Sequence, residues 1–416
     1  MKILISAYAC SPFQGSEPGV GWGFVKELSE SHELHVIVEK EKFKSDIEMW
    51  LESGGQFANK VTFHFIQKKR NRWLRKLWPP SYYWYYKAWH KEAYKLAVEL
   101  DRVEDFDLTH QLTMVGFREP GYLWQHYKPF VWGPVGGMGL FPLAYYSEVG
   151  LKASLYYFAY NIINTIHMRF SSRPRKAAKR ARNALLTATP ENQRYSLTHW
   201  GVASQVMTEV GLPDLEVIDH STRKVGEPLR ICWSGLHIPR KGLGLLLQAL
   251  TKVPNINWQL DVLGEGPCTK KWQRLAQQLN IDNAVIFHGK KSREECLHLM
   301  QRSHVFVMTS LRDLTSTVII EALACGLPVI CNDHCGFSGV INEQCGIKLP
   351  IISPKQTHTD LAVAITKIEQ SESFRQVLAS GALERSQAFT WESKIKVLNK
   401  IYQEVVHDRA NKEKDV

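Results

Sequence analysis

The chain contains no run of roughly 18 unbroken apolar residues, which is the length that a membrane-spanning helix requires. Residues 151–170 come closest, but Lys152, Asn161 and Asn164 interrupt the run. The apolar N-terminus, MKILISAYACS, is also too short for a lipoprotein signal that ends at Cys10. We therefore expect no transmembrane helix, and we predict that the chain begins with a β-strand.

The sequence also lacks a C-x-x-C pair, although it contains eight cysteines. Four of them lie between positions 325 and 345, and His334 lies beside Cys335, but the spacing matches no common zinc site. Scattered thiols without such spacing are typical of small buried side chains in a reducing cytosol. We therefore predict a cytoplasmic protein without a zinc site at these cysteines.

Two segments contain no acidic residue. Residues 68–91, KKRNRWLRKLWPPSYYWYYKAWHK, hold eight Lys or Arg and eight aromatic side chains. Residues 168–182, MRFSSRPRKAAKRAR, hold seven Lys or Arg, in a chain whose formal net charge is +11. Tryptophan and tyrosine favour membrane interfaces, and basic clusters are attracted to anionic lipid. We therefore predict that both segments contact an anionic membrane surface.

Two alternatives for these basic segments stay open. The aromatic side chains could lie in the core, with the charges forming a solvated face. They could instead stack on the bases of a single-stranded nucleic acid. Nothing else in the sequence supports the nucleic acid, and we predict that none is bound.

Length and composition indicate two folded domains. With 416 residues, 44% of them hydrophobic and 22% charged, the chain can build two ordinary cores. Short apolar segments alternate with helical patterns in each half, which predicts an α/β fold with one doubly wound parallel sheet per half. Besides the strand that opens each half, the predicted strands lie at residues 33–38, 61–66, 108–111, 130–132, 184–188, 258–263, 284–287, 305–309 and 328–331.

The two halves begin alike. KILISAYACSPFQGSEPGVGW and LRICWSGLHIPRKGLGLLLQAL both read as strand, Gly-containing loop and helix. A polar stretch at residues 221–228 is the predicted hinge, so that an N-terminal domain at 1–222 precedes a second domain at 223–388. Parallel sheets bind ligands at the carboxyl ends of their strands, so two Rossmann-like sheets facing a central cleft would enclose a substrate.

The stretch LRDLTSTVIIEALACGLPVI contains two carboxylates, Asp313 and Glu321. A hydrolytic pair needs two carboxyl groups at a defined separation, whereas here a hydroxyl-rich loop at a predicted helix N-terminus separates them. Free backbone N–H groups at such a terminus favour a bound anion. We therefore interpret both carboxylates as groups that hold a phosphorylated sugar ligand. The alternative is that Asp313 only caps the helix and Glu321 is a solvated helix residue.

The segment SLRDLTSTVIIEALACGLPVI resembles the donor-site motif of family 4 of the retaining glycosyltransferases, which have the GT-B fold. That motif is two acidic residues separated by seven, followed by Glu-Ala-x-Ala-x-Gly-x-Pro-Val. Other segments resemble family elements in the family's order: WSGLHIPRKGLGLLLQAL, LDVLGEGP, VIFHGKKSREE and the terminal FTWESKIKVLNKIY. The resemblance covers the second half almost end to end. It implies that residues 389–416 form a terminal helix that crosses back to the first domain, followed by a frayed tail.

The resemblance implies roles for residues of the second half. Glu321 would hold the ribose hydroxyls of a nucleotide diphosphate sugar, Asp313 would contact the transferred sugar, and Lys241 would neutralise the diphosphate. The loop formed by Thr315, Ser316 and Thr317 would donate backbone N–H groups to the sugar and phosphate. Donor-binding residues would also include Gly235, His237 and Arg240.

In the first half, the resemblance is weaker and rests on the opening loop and on FDLTHQLT. It implies that the loop with Gly15, Ser16 and Gly19 approaches the reacting groups closely, because glycine leaves room for this. His110, at a predicted strand end, would face the donor sugar as a catalytic residue together with Asp313 and Lys241. A histidine at a strand end can also simply be packed.

Two positions depart from the family pattern. The first acidic residue is Asp313 rather than the commoner Glu, and Leu236 replaces the usual Arg two residues after Ser234. The second change removes a bidentate phosphate ligand, for which Arg240 or His237 would have to compensate. The sequence Asp105-Phe-Asp107 looks like the metal-binding Asp-x-Asp of other glycosyltransferases, but we interpret it as a turn and cap and expect neither a metal nor another cofactor.

The resemblance implies a retaining glycosyltransferase, and we expect it to be independent of metal. It would move a sugar from a nucleotide diphosphate sugar to a glycan or lipid-linked acceptor, in bacterial surface polysaccharide assembly. It would be peripheral at the inner face of the cytoplasmic membrane. The alternative prediction is a non-catalytic protein that binds a sugar nucleotide, which Leu236 and Asp313 motivate; a basic-aromatic nucleic-acid binder is the remaining possibility.

Overall fold

The structure is a computed structural model and describes residues 1–54, 58–69, 72–78, 81–212, 222–224 and 226–414. Contacts divide the chain into two compact units. The first unit comprises Met1–Met138, Thr165–Gly211 and Trp391–Val416, and the second comprises Gly139–Asn164 and Leu212–Thr390.

The first unit is built on a seven-stranded parallel sheet in the order β3-β2-β1-β4-β5-β6-β7. Its strands are β1 (Lys2–Ala7), β2 (Glu33–Glu39), β3 (Val61–Ile66), β4 (Leu108–Thr113), β5 (Phe130–Val135), β6 (Leu185–Thr187) and β7 (Gln205–Val206). Its helices are α1 (Glu17–Leu28), α2 (Lys40–Glu52), α3 (Arg72–Leu77), α4 (Ser81–Glu104), α7 (Ser172–Ala181), α8 (Pro190–Tyr195) and α16 (Trp391–Lys414). The central strands are apolar because helices cover both faces of such a sheet.

The second unit contains a six-stranded parallel sheet in the order β10-β9-β8-β11-β12-β13. Its strands are β8 (Leu229–Ser234), β9 (Trp258–Leu263), β10 (Val285–Gly289), β11 (Val305–Met308), β12 (Val329–Asn332) and β13 (Gly346–Leu349). Its helices are α5 (Tyr146–Val149), α9 (Leu243–Leu250), α10 (Thr269–Gln278), α11 (Arg293–Gln301), α12 (Thr317–Ala324), α13 (Phe337–Val340), α14 (Pro354–Gln370) and α15 (Glu372–Ser386). The prediction of two parallel-sheet α/β domains is therefore confirmed.

Two strands were not predicted from the sequence. Strand β7 has only two residues, both exposed, and β13 has four residues of which the middle two are half-buried. Each lies at one edge of its sheet, where fewer side chains are covered and the apolar pattern is correspondingly weak.

The division into units differs from the predicted domain boundary at residue 222. Residues 139–164 belong to the second unit, where Phe141 and Tyr157 join the core around Trp233. The hydroxyls of Tyr145 and Thr357 also lie 2.6 Å apart. The units change again between Gly211 and Leu212, before the predicted hinge at 221–228, of which residues 221 and 225 lie outside the described residues.

The terminal helix α16 is fixed into the first unit by its own first turns. The ring of Trp391 packs edge-on to Phe24, with 5.1 Å between ring centroids. A Cβ at Gly23 would lie 2.2 Å from the same ring, so that only glycine fits there. Lys394, 5% exposed, donates to the carbonyls of Thr208 and Val210 at 2.5 and 2.8 Å. Helix α16 therefore returns the chain to the first unit after the second has been completed.

Helix α6 (Leu151–Phe170) begins in the second unit and ends in the first. This is the segment that came closest to a transmembrane pattern. Among the residues that the structure describes, we find no helix with the length and hydropathy needed to cross a bilayer.

Candidate functional site

The candidate site of the second unit is built from two loops. Strands β8 and β11 are neighbours in the sheet, and the loops that leave their carboxyl ends, 235–242 and 309–316, start at the point where the strand order reverses. Such a switch point is where open α/β sheets bind ligands. The loops are joined because the Trp233 indole donates to Thr309 Oγ1 at 3.1 Å and that hydroxyl donates to the Lys241 carbonyl at 3.0 Å.

Lys241, Arg240 and Asp313 meet in this site. Lys241 Nζ lies 2.5 Å from Asp313 Oδ2, and Arg240 Nη1 lies 3.3 Å from the same oxygen. The side chains of Lys241 and Asp313 are 7% and 15% exposed, so that solvent screens their charges little. Two cations against one carboxylate leave a net positive charge, which suits a phosphate group.

The loop before helix α12 presents the predicted Thr-Ser-Thr sequence. Thr315 is fully buried, Ser316 precedes the helix with φ of 68°, and Thr317 is the first helical residue. Gly336 allows this packing, because a Cβ there would lie 2.7 Å from the Thr315 Cα. The Ile319 N–H donates to the Ser316 carbonyl at 3.3 Å. The first N–H groups of a helix carry the positive end of its dipole.

Glu321 lies on helix α12 and is 8% exposed. Its Oε1 accepts a hydrogen bond from Arg293 Nε at 2.7 Å, and the Arg293 side chain is half-exposed at the start of α11. Glu321 is therefore not a solvated helix residue. The sequence analysis missed Arg293, because nothing in the sequence relates two positions 28 residues apart.

His237 was one of two residues predicted to compensate for the missing arginine. Its side chain is fully buried, Nδ1 lies 2.8 Å from Thr269 Oγ1, and its ring packs against Trp272. Burial lowers the pKa of His237, which favours the neutral imidazole. Compensation by His237 for the missing arginine stays a prediction, and a neutral ring would act there through a hydrogen bond rather than through a charge. Leu236, by contrast, is 61% exposed.

Gly235 has a backbone role in the site. A Cβ at Gly264, where φ is 108°, would lie 2.1 Å from the Gly235 carbonyl oxygen. This close approach requires glycine at 264 and holds the end of β8 against the end of β9. A Cβ at 235 itself would lie at an ordinary contact distance, 3.5 Å, from the Lys241 Cδ. The role of Gly235 in donor binding stays a prediction.

In the first unit, the predicted loop residues do not all lie in a loop. Helix α1 begins at Glu17, so Gly19 is helical and only Gly15 and Ser16 precede the helix. Ser16 has φ of 59°, which is uncommon for a residue with a Cβ. Glu17 Oε1 accepts from the Val115 backbone N–H at 2.6 Å, and burial raises the pKa of this carboxyl. Glu17 was not identified from the sequence.

His110 is a packed histidine in the middle of β4 rather than at its end. The side chain is fully buried, with Nδ1 2.6 Å from the Tyr402 hydroxyl and Nε2 2.8 Å from the Gly133 carbonyl. Burial lowers its pKa to about 4. This is the packed alternative noted from the sequence. A contact with the donor sugar stays a prediction, and the position of the ring does not support it.

Within the basic-aromatic segment 68–91, residues 70, 71, 79 and 80 lie outside the described residues, and the described ones divide into buried and exposed parts. Lys68 is 4% exposed, and its Nζ lies 3.5 Å from the centroid of the Tyr82 ring with Tyr86 also nearby. This part behaves as core, in agreement with the alternative of buried aromatic side chains. Apolar side chains of the other part are 53% to 77% exposed, namely Trp73, Leu77, Trp78 and Trp84.

The second basic segment, 168–182, is also partly structural. Arg173 donates to both carboxylate oxygens of Glu119, at 2.7 and 2.5 Å. Arg180 donates to the backbone carbonyls of residues 126–128 at 2.9 to 3.2 Å. Lys176 and Lys179 are exposed. In both segments, therefore, only some of the basic or aromatic side chains are exposed, and the others have structural partners.

The Asp-x-Asp lookalike has structural partners. Asp107 Oδ2 accepts from the Lys2 backbone N–H at 2.7 Å, and Asp105 forms an ion pair with Lys128. Among the described residues, the one group with metal-like geometry is Glu33, His35 and Glu104. The Lys2 ammonium lies 2.8 Å from Glu104 and 3.4 Å from Glu33, so both carboxylates already have a cationic partner. All eight cysteines are free, and seven are buried.

Two parallel α/β units, with a phosphate-compatible site at the switch point of the second, define the GT-B class of proteins. The family follows from comparison of sequences. Residues 216–385 match the model of the family Glycosyl transferases group 1. The match is limited to this part of the chain, and it confirms the group 1 glycosyltransferase that the motifs indicated.

Similar proteins agree with this assignment. An uncharacterized glycosyltransferase of Methanocaldococcus jannaschii is 25% identical over 171 residues, which are 41% of this chain and 47% of that protein. The chain thus spans about half the length of this curated relative.

Solved structures resemble the chain over nearly its whole length. Anabaena HepE in complex with UDP has a TM-score of 0.60 at 16% identity, covering 99% of this chain and 100% of that one. The lipopolysaccharide outer core galactosyltransferase WaaB has a TM-score of 0.65 at 15% identity, covering 96% and 99%. At such identity these similarities show the fold.

Proposed function

We infer that this protein is a glycosyltransferase that transfers a sugar from a nucleotide diphosphate sugar. The observation that carries this proposal is the cluster of Lys241, Arg240 and Asp313 beside the N-terminus of helix α12. Positive groups at a helix N-terminus bind phosphate, and a carboxylate among them can accept from a sugar hydroxyl. Glu321, further along the same helix, supplies a second carboxylate for the ribose hydroxyls.

The proposed chemistry is transfer with retention at the anomeric carbon. The bond between that carbon and the diphosphate oxygen breaks, and the new bond to the acceptor oxygen forms on the same face. The proton of the acceptor hydroxyl passes to the departing diphosphate oxygen. The diphosphate leaves with the bonding electrons, and Lys241, Arg240 and the backbone N–H groups of α12 stabilise the developing charge. No protein nucleophile and no metal are needed in this proposal.

Uracil is the base that we propose for the donor nucleotide, and the other bases are the alternatives. The support is a fold shared over nearly the whole chain with a protein whose structure holds UDP. A similar fold in a lipopolysaccharide galactosyltransferase supports a glycan or lipid-linked acceptor in bacterial surface polysaccharide assembly. The exposed part of segment 68–91 supports a peripheral position at the inner face of the cytoplasmic membrane.

The experiment is a thermal-shift panel of nucleoside diphosphates and their sugars without added metal. It compares the wild type with Glu321→Ala and with Glu384→Ala, an exposed carboxylate of the same unit. One nucleotide class should stabilise the wild type and Glu384→Ala but not Glu321→Ala. If no nucleotide raises the melting temperature of the wild type, or if Glu321→Ala responds like the wild type, the donor assignment is wrong.

A second candidate is a protein that binds the sugar nucleotide without catalysis. The exposed Leu236 in place of a phosphate-binding arginine favours it. The discriminating measurement is turnover of the donor that the panel identifies, followed by NMR of the anomeric proton in the product. Release of the nucleoside diphosphate with an inverted product would contradict retention, and tight donor binding without any turnover would support the second candidate.

A further inference from the structure

Helix α6 turns its apolar side chains outward. Most of its large apolar residues are 45% to 79% exposed: Leu151, Leu155, Tyr156, Phe158, Ile162, Ile163, Ile166 and Phe170. Their spacing of three, four and seven residues places them along one broad stripe of the helix. In a soluble protein such a stripe usually faces the core, whereas in this helix it is exposed.

The opposite side of α6 is packed, and two asparagines lie on it together with Tyr157 and Met168. Asn161 is 9% exposed, and its amide group accepts from the Phe141 backbone N–H at 2.9 Å and donates to the Phe141 carbonyl at 2.8 Å. Tyr157 stacks on the Phe141 ring with 4.2 Å between centroids. Asn164 is fully buried. These contacts fix the rotation of the helix, so the apolar stripe cannot turn inward without breaking them.

The charges around the stripe identify what covers it. Residues 151–182 contain eight Lys or Arg and no acidic residue. Lys152 and Arg169 lie exposed at the two ends of α6, and Lys176 and Lys179 are exposed on α7. A second copy of this chain would bring the same positive charges against each other. An anionic lipid surface instead offers headgroups to the charges and acyl chains to the stripe.

We propose that helix α6 lies in the headgroup region of an anionic bilayer with its apolar stripe inserted into the acyl chains. Its 20 residues give a length of about 30 Å, which lies along the surface as an interfacial helix does. This proposal rests on the membrane contact in the proposed function but names a different, apolar element. It requires nothing of the donor site.

Insertion and electrostatic docking respond differently to salt. Attraction between exposed basic residues and lipid headgroups is screened at about 1 M salt, where the Debye length is roughly 3 Å. Burial of apolar side chains is not screened. The full-length wild type should therefore stay partly bound to vesicles of phosphatidylcholine and phosphatidylglycerol at that salt concentration.

The test compares two charge-neutral double variants of the full chain. Ile162→Gln with Ile166→Gln changes the stripe, where the two side chains are 45% and 48% exposed. Val363→Gln with Val377→Gln changes two valines on α14 and α15 that are 63% and 66% exposed. All four positions are on the surface, and circular dichroism checks the fold. Vesicle cosedimentation should show at least a roughly tenfold weaker partitioning for the stripe variant and an unchanged value for the valine variant.

Three results would overturn the proposal. The first is vesicle binding by the stripe variant that equals the wild type, and the second is no vesicle binding by the wild type. The third is a wild-type dimer, seen by light scattering without lipid, that the stripe variant converts to a monomer. Stabilisation by UDP is measured on the same samples. Its absence would contradict the donor assignment alone, whereas a vesicle result leaves that assignment intact.

Discussion

Replacing Lys241 by methionine should weaken nucleotide binding far more than it weakens the fold. The ammonium is the buried cation of the site, 2.5 Å from Asp313 Oδ2 and 7% exposed. A hydrogen bond to a charged group contributes about 1.5–3 kcal/mol, which is roughly 10- to 150-fold in the Kd for UDP. Isothermal titration calorimetry measures this directly.

Lys241→Met should lower the free energy of unfolding by less than the usual cost of breaking a buried ion pair. Removing one partner of such a pair costs about 3–5 kcal/mol when the other charge is left alone. Here Arg240 Nη1 remains 3.3 Å from the same Asp313 oxygen, so we expect a loss of about 1–2 kcal/mol in the free energy of unfolding. Lys252→Met is the matched control, because Lys252 is an exposed lysine of the same unit.

Asp313→Asn separates the proposed role of Lys241, which is to bind the diphosphate, from that of Asp313, which is to contact the transferred sugar. It releases Lys241 from its carboxylate, so UDP affinity should stay equal or rise, while the extra affinity for UDP-sugar over UDP should fall. The reasoning is refuted if Lys241→Met binds UDP within about twofold of the wild type. It is also refuted if Asp313→Asn and Lys241→Met lower UDP affinity alike.

Three further outcomes are expected. Arg293→Ala should weaken UDP binding by up to roughly fivefold in titration calorimetry, since Arg293 positions Glu321, and it should have no added effect in Glu321→Ala. His110→Phe should lower the free energy of unfolding by about 1–3 kcal/mol, because the Tyr402 hydroxyl and a carbonyl lose their partner; a change in UDP affinity without a loss of stability would instead support a role at the donor. Burial lowers the pKa of Lys394 from 10.5 to about 7, so above pH 7 the unfolded chain holds a proton that the folded chain lacks. Stability relative to Lys394→Met should therefore rise with pH between about 7 and 10, by up to about 1.4 kcal/mol per unit, and urea titrations that show a fall would contradict this.

The basic segments show how far charge and composition carry a prediction. Both segments lack acidic residues in the sequence. The prediction that they contact an anionic membrane surface follows from that absence. The structure places Lys68 among tyrosine rings and Arg173 against Glu119. Composition cannot separate these side chains from the exposed Trp73 or Lys176, because burial depends on what packs against each one.

The sequence by itself determined the repeated strand and helix order, the two sheets and the segment that carries Asp313 and Glu321. Apolar periodicity and the motif spacing are local along the chain, so they can be read without coordinates. Only the tertiary structure decided that residues 139–164 join the second unit, that Arg293 meets Glu321 and that His110 is enclosed by Tyr402 and Gly133. These contacts join residues far apart in the chain, and they depend on how the elements pack rather than on any local pattern.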